Sequence, residues 1–126
     1  MKCLSLKQPF AELLVSGKKT IELRNWNTHF RGTFLIHASK KPMEEACVAF
    51  GFNPKSMVKG AIIGSAFLYG VKEYHTQEEY LEDQKRHLGG GDFANDRYGF
   101  MIKNASKFKK PIPLAGKLNF FEVEMR

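Results

Sequence analysis

At 126 residues the chain has the length of one domain, enough to bury a real core. Hydrophobic residues make up 43% and charged residues 26%, an ordinary balance for a globular protein, and no apolar run nears the ~20 residues of a membrane-spanning helix. The net charge of +7 is uneven: residues 1–63 carry ten Lys/Arg against four Asp/Glu, and residues 64–126 ten against nine. A basic first half points to a polyanionic partner, most often nucleic acid.

In chain order, Leu4 and Leu6 alternate with polar neighbours as in a short strand. The chain enters this pattern at its first residues, which predicts no signal peptide and an intracellular protein, cytoplasmic or nuclear. Cys3 and Cys47 are then expected as reduced core thiols. Pro9 suits a first helical turn, Phe10, Leu13 and Leu14 follow at helical spacing, and Gly17 suits the exit. Residues 19–26 read as a second strand, Arg31-Gly32 as a turn, and Thr33 to Ala38 as a third strand. A second helix opens at Pro42. Its apolar stripe is Met43, Ala46, Cys47 and Phe50, and Gly51 closes it.

Residues 61–74 form a long apolar strand with glycines at 64 and 70, as bends or bulges require. Thr76 and Glu79 fit a capping box, and the acidic start and basic end of residues 76–87 match a helix dipole. Gly89-Gly90-Gly91 reads as a helix stop and a mobile loop through Asp96. It lacks the Gly-Lys-Ser/Thr ending of a phosphate loop. Tyr98, Phe100 and Ile102 give a late strand, Pro111 and Pro113 a turn segment, and Leu118 to Met125 a final strand. About six strands and three short helices predict an α+β fold with a small, mostly antiparallel barrel, as a single domain over 1–126.

The four histidines and two cysteines show no ligand-like spacing, so neither a metal nor a cofactor is expected. His37, between Ile36 and Ala38, reads first as a hydrogen-bonded core histidine, with a site role left open. The richest segment is Gly17-Lys18-Lys19-Thr20-Ile21-Glu22-Leu23-Arg24-Asn25-Trp26. Glu22 and Arg24 share a strand face and can pair. Lys19 has the opposite parity but sits where strand geometry need not hold. Spacing alone leaves this segment balanced between a surface salt bridge and a site.

Leu4-Ser5-Leu6-Lys7-Gln8-Pro9-Phe10-Ala11, the Gly17-x-Lys19-x-x-Glu22-x-Arg24 block with Trp26, then Arg31-Gly32 and Ile36-His37-Ala38, resemble the activating signal cointegrator homology (ASCH) domain. Tyr98-Gly99-Phe100 and Pro111-Ile112-Pro113-x-x-Gly116-Lys117 resemble its closing strands. The resemblance implies a PUA-like barrel with helices over a cleft and an RNA- or single-strand-binding module, often a transcription or translation coregulator. It implies a cleft floor of Lys19, Glu22 and Arg24. Ser5, Gln8 and Trp26 would stand near the rim, with His37 and with Tyr98 from the closing strand. The basic rim would be Lys18, Arg31, Lys40 and Lys41, with a second patch of Lys107, Lys109 and Lys110 beside Phe108.

Two other functions stay open. One ASCH-like branch hydrolyses N4-acetylcytidine with a lysine, a threonine and a glutamate, and other members resemble ribonucleases. Lys19 matches the lysine, but Glu22 stands at the threonine position, which argues against that amidohydrolase chemistry. If the chain is a hydrolase, Lys19 and Glu22 are its catalytic candidates. The other possibility is a protein-binding adaptor using residues 76–96.

Overall fold

The computed structural model describes residues 1–125. Its elements in order are β1 (Lys2–Leu6), α1 (Phe10–Val15), β2 (Ile21–Arg24), β3 (Gly32–Ala38), α2 (Glu44–Ala49), β4 (Ala61–Glu73), α3 (Gln77–Glu82), α4 (Gln84–His87), β5 (Tyr98–Pro113) and β6 (Phe120–Glu122). The strands make one mixed sheet in the order β2-β5-β4-β3-β1-β6, curled into a half-barrel. Only β1 and β3 run parallel; the other four pairings are antiparallel. Among the described residues no helix is long and apolar enough to cross a membrane.

Side chains alternate along each strand, so the sheet has two faces. Leu4, Phe34, Ile36, Ile63, Leu68, Phe100 and Ile102 fill one face and pack beneath α1, which buries Ala11, Leu13, Leu14 and Val15. The alternate residues Cys3, Leu35, Ile62 and Phe121 form a smaller cluster on the other face, with Leu114 and Val123 at its edge. Both cysteines are buried and free, as expected of core thiols.

Gly17 leaves α1 at φ +81°, a left-handed conformation that suits glycine. The register of β4 against β5 slips at Ile62/Gly64 and at Leu68/Gly70, where the in-strand glycines predicted bulges.

Three local expectations change. The helix expected over 76–87 is two helices, so there are four among the described residues. The Thr76 hydroxyl caps α3 by accepting from the Glu79 N–H at 3.1 Å. At Asp83 the chain breaks, because its buried carboxylate turns inward to accept from Tyr74 Oη at 2.7 Å and Lys72 Nζ at 3.0 Å. Burial pushes that carboxyl up, but the two donors outweigh it and hold it below the usual aspartate value. The stop after α4 is Leu88, at φ 60°, and not the glycine run. Pro111 and Pro113 lie inside β5, which continues to Pro113 beyond the expected turn.

Candidate functional site

Lys19 lies between α1 and β2. Its backbone N–H donates to the Leu13 carbonyl at 2.9 Å, and the next residue, Thr20, donates to the Arg86 carbonyl at 2.9 Å. These two bonds clamp the 16–20 turn between α1 and α4 and aim the lysine inward. Its ammonium donates to the His87 carbonyl, lies 3.5 Å from Glu22 Oε1, and sits 5.4 Å from the centre of the Phe10 ring. Lys19 is only 3% exposed and Glu22 7%. Burial is the chief reason that the ammonium is held below the usual lysine value, with Glu22 opposing it.

Arg24 completes the network, as its shared strand face with Glu22 predicts. Its Nε donates to Glu22 Oε2 at 2.9 Å, and its Nη2 donates to the Ser5 carbonyl at 2.9 Å. Tyr98 is its cross-strand neighbour, opposite Arg24 in the β2–β5 register. The structure therefore brings Lys19, Glu22 and Arg24 together. The arrangement is closed on the lysine side and part-exposed on the arginine side.

Three further residues surround this network, and none was singled out from sequence. His87 is fully buried; its Nε2 donates to the Tyr80 carbonyl at 2.7 Å, and its Nδ1 accepts from the Gly89 N–H at 2.9 Å. That pattern is a neutral imidazole. Burial, reinforced by Lys19, holds it below the usual histidine value. Tyr80 packs on the His87 ring at 4.3 Å between centroids. Its hydroxyl is the one fully buried side-chain polar atom without a hydrogen-bond partner among the described residues. Asp96, half-buried on the loop after the glycine run, is pushed above the usual aspartate value by burial and then by the negative charge of Glu22. The glycine run masked this signal, because the segment reads as a mobile loop.

Asp96 gives a direct test. Its raised value means that the folded state holds the proton more tightly than the unfolded chain. Stability therefore falls as pH rises from the usual aspartate value of 3.8 through the folded value. Asp96→Asn removes that penalty. The variant is expected to melt higher than the wild type at pH 7 in differential scanning calorimetry, with the gap closing below pH 3.8. An unchanged or lower melting temperature at pH 7 would show that Asp96 is not held in the field of Glu22.

The remaining predicted residues divide. Trp26 is half-buried and packs edge-on against Phe100 at 5.2 Å and Phe120 at 6.0 Å, so its ring is fixed from behind. Gln8 is 1% exposed, and both amide atoms are engaged: Nε2 donates to the Val58 carbonyl at 2.9 Å, and Oε1 accepts from the Glu12 N–H at 2.9 Å. It fixes α1 and offers no free group to a rim. His37 is a buried, hydrogen-bonded histidine paired with Ser5. By strand parity both lie on the sheet face opposite α1, beside the Cys3–Leu35 cluster. Lys18, Arg31, Lys40, Lys41, Lys107, Lys109 and Lys110 are all exposed. Of these only Lys107 makes an ion pair among the described residues, with Glu12 at 2.9 Å.

The sequence profile of the ASCH domain matches residues 4–112. Activating signal cointegrator 1 of Mus musculus and of Homo sapiens are each 24% identical over 136 aligned positions, covering 98% of this chain. The chain spans about a fifth of the length of these relatives, 22% in each case. Crystal structures of ASCH from Zymomonas mobilis, unmutated and as a point mutant, superpose with a TM-score of 0.65 at 20% identity. They cover 90% of this chain and 73% of theirs, a likeness of fold. With the profile running from β1 through most of β5 and the half-barrel shared, the chain belongs to the ASCH domain family.

Proposed function

We infer that this domain binds nucleic acid, RNA or single strands, through an exposed cationic surface beside a rigid floor whose charges are paired internally. The observation that carries this reading is the contrast between the two sets of cations. Lys19 and Arg24 are committed to Glu22 and to backbone carbonyls. Lys18, Arg31, Lys40, Lys41, Lys109 and Lys110 are exposed and enter no ion pair among the described residues. Unpaired surface cations favour a partner whose negative charge is continuous.

The part-exposed Arg24, the outer face of Trp26 and Tyr98 stand where a base can approach. Trp26 is held by its aromatic neighbours, so stacking on it costs little ordering, and stacking is worth ~1–3 kcal/mol per base. Membership in the family of activating signal cointegrator 1 supports a coregulator role inside the cell. The hydrolase alternative is less favoured. Acid–base work needs a lysine with a free lone pair or a mobile proton, and Lys19 is buried against Glu22 and the His87 carbonyl.

The test is the salt dependence of binding to single-stranded RNA. If the six unpaired cations each meet a phosphate, the slope of log K against log salt is about −4. Replacing both Lys109 and Lys110 with alanine is expected to reduce its magnitude by about 1.4. No binding at low salt, or binding indifferent to salt, would overturn the proposal.

A further inference from the structure

The pairing of Ser5 with His37 has a chemistry that nucleic-acid binding does not use. Ser5 on β1 and His37 on β3 are register partners across the parallel pair. His37 Nε2 lies 2.6 Å from the Leu114 carbonyl oxygen, and its Nδ1 lies 2.8 Å from Ser5 Oγ. A carbonyl oxygen can only accept, so in the neutral imidazole Nε2 carries the proton. Nδ1 is then a bare lone pair, and Ser5 donates its hydroxyl proton to it. The result is a serine whose proton points at a base, with the base's tautomer and orientation fixed by a third group. That is the logic of an activated nucleophile.

The surroundings supply room and charge. Ser5 and His37 open into a cavity of about 450 Å³ that Lys40, Gly116 and Lys117 also line. His37 is 1% exposed, which shields the imidazole from water, while Ser5 is only half-buried. Gly116 packs closely against the hydroxyl and the imidazole, at a distance that only a residue without a side chain allows. A Cβ there would stand 2.9 Å from Ser5 Oγ and 2.8 Å from His37 Cε1. The Leu114 N–H is spent on the Gly60 carbonyl at 3.1 Å, whereas the N–H groups of Ala115, Gly116 and Lys117 donate to no protein acceptor among the described residues. Free amides and two exposed lysines at one cavity suit a developing oxyanion and a negatively charged substrate.

We propose that Ser5, His37 and the Leu114 carbonyl form an acyl-transfer site that hydrolyses a carboxylic ester of a phosphate-bearing alcohol. Ser5 Oγ bonds to the acyl carbon as its proton passes to His37 Nδ1, and the carbonyl oxygen takes the negative charge. The tetrahedral adduct collapses by breaking the bond to the alcohol oxygen, which leaves with the proton from Nδ1. Water then attacks the acyl-Ser5 carbon and gives its proton to Nδ1. Ser5 Oγ departs and recovers that proton, and the carboxylic acid is released. Nε2–H stays on the Leu114 carbonyl throughout. Both lysines attract the substrate's phosphate. This site shares Lys40 with the proposed nucleic-acid surface, but its nucleophile and base do not depend on that surface.

The experiment is labelling of the folded chain with an alkyl fluorophosphonate, followed by peptide mass mapping. Ser5 is expected to carry the adduct and the other serines none. Ser5→Ala abolishes it, and His37→Gln slows it by about a hundredfold or more. Because His37 is buried, its variant can fail to fold. Gly116→Ala, on an exposed loop, is the second variant: its Cβ meets Ser5 Oγ and the His37 ring, so the pair or the loop must shift, and it is expected to suppress labelling while the chain stays folded. A second arm compares hydrolysis of an acetyl ester of a nucleoside 5′-monophosphate with the same ester of the unphosphorylated nucleoside. The phosphorylated ester is expected to show the higher kcat/KM, and Lys40→Ala with Lys117→Ala to erase the difference. Absence of a Ser5 adduct on the folded protein, or labelling that Gly116→Ala leaves untouched, overturns the nucleophile. Equal turnover of the two esters overturns the substrate class.

Discussion

Replacing Glu22 with alanine is expected to lower the unfolding free energy by about 3–5 kcal/mol. Two cations depend on this one carboxylate. Lys19 is buried and lies 3.5 Å from one oxygen, and Arg24 donates to the other at 2.9 Å. Removing the carboxylate leaves an ammonium inside the protein with a single carbonyl partner, that of His87. It also frees the guanidinium to pull away from the Ser5 carbonyl. Lys19→Met is the informative contrast. It keeps the apolar stem against Phe10 and leaves the Glu22–Arg24 pair intact, so its main cost is one unpaired carbonyl, no more than about 2 kcal/mol. Urea denaturation monitored by Trp26 fluorescence measures both. With a slope of about 1–3 kcal/mol/M, the Glu22→Ala midpoint drops by more than about 1 M. Equal losses for the two variants would mean that the three groups do not act as one network.

This network shows how far the sequence could be read. Glu22 and Arg24 are two residues apart in a strand, so their shared face follows from the period of the pleat. Lys19 breaks that period. Its place is set by the Lys19 N–H to Leu13 in the preceding helix and the Thr20 N–H to Arg86 in α4, the second of which is far away in the chain. Asp96 and Tyr80 were not legible for the same reason. One sits on a loop that reads as a helix stop, and the other on a helix whose sequence signals are its cap and its charged ends. His87 was counted only as the basic end of a helix, yet it is wholly buried beside Lys19.

The element boundaries follow a similar rule. Turns fixed by backbone chemistry, such as the Gly17 exit and the bulges near Gly64 and Gly70, were legible because glycine announces them. The run of β5 through Pro111 and Pro113 was not, since proline normally argues against a strand. It is tolerated here because β2 covers β5 only from Tyr98 to Met101. Beyond that point β5 has β4 on one side alone, and a residue with no N–H costs nothing on the open side. Lysines at 103, 107, 109 and 110 occupy the same uncovered stretch, as an exposed strand edge favours.

Gly64→Ala is expected to cost about 3 kcal/mol or more, through backbone overlap rather than lost freedom. A Cβ at Gly64 would stand 2.3 Å from the Ser106 carbonyl oxygen and 2.3 Å from Val15 Cγ2. Neither atom can retreat cheaply. The carbonyl belongs to β5 beside the register slip, and Val15 is 2% exposed in the helix that roofs the main core. Gly70→Ala is the matched control: there the Cβ meets only Met101 Cε, the mobile end of a flexible side chain, at 2.5 Å. That substitution is expected to cost no more than about 1 kcal/mol. The larger loss at 64 carries a functional consequence. The Val15 conflict pushes α1 off β4, and α1 leads directly into the turn that aims Lys19. Gly64→Ala should therefore expose Lys19 as well as weaken the fold, and reductive methylation of the folded variant would show Lys19 modified where the wild type protects it. Protection equal to the wild type would place the aim of Lys19 in α4 alone, independent of how α1 seats on the sheet.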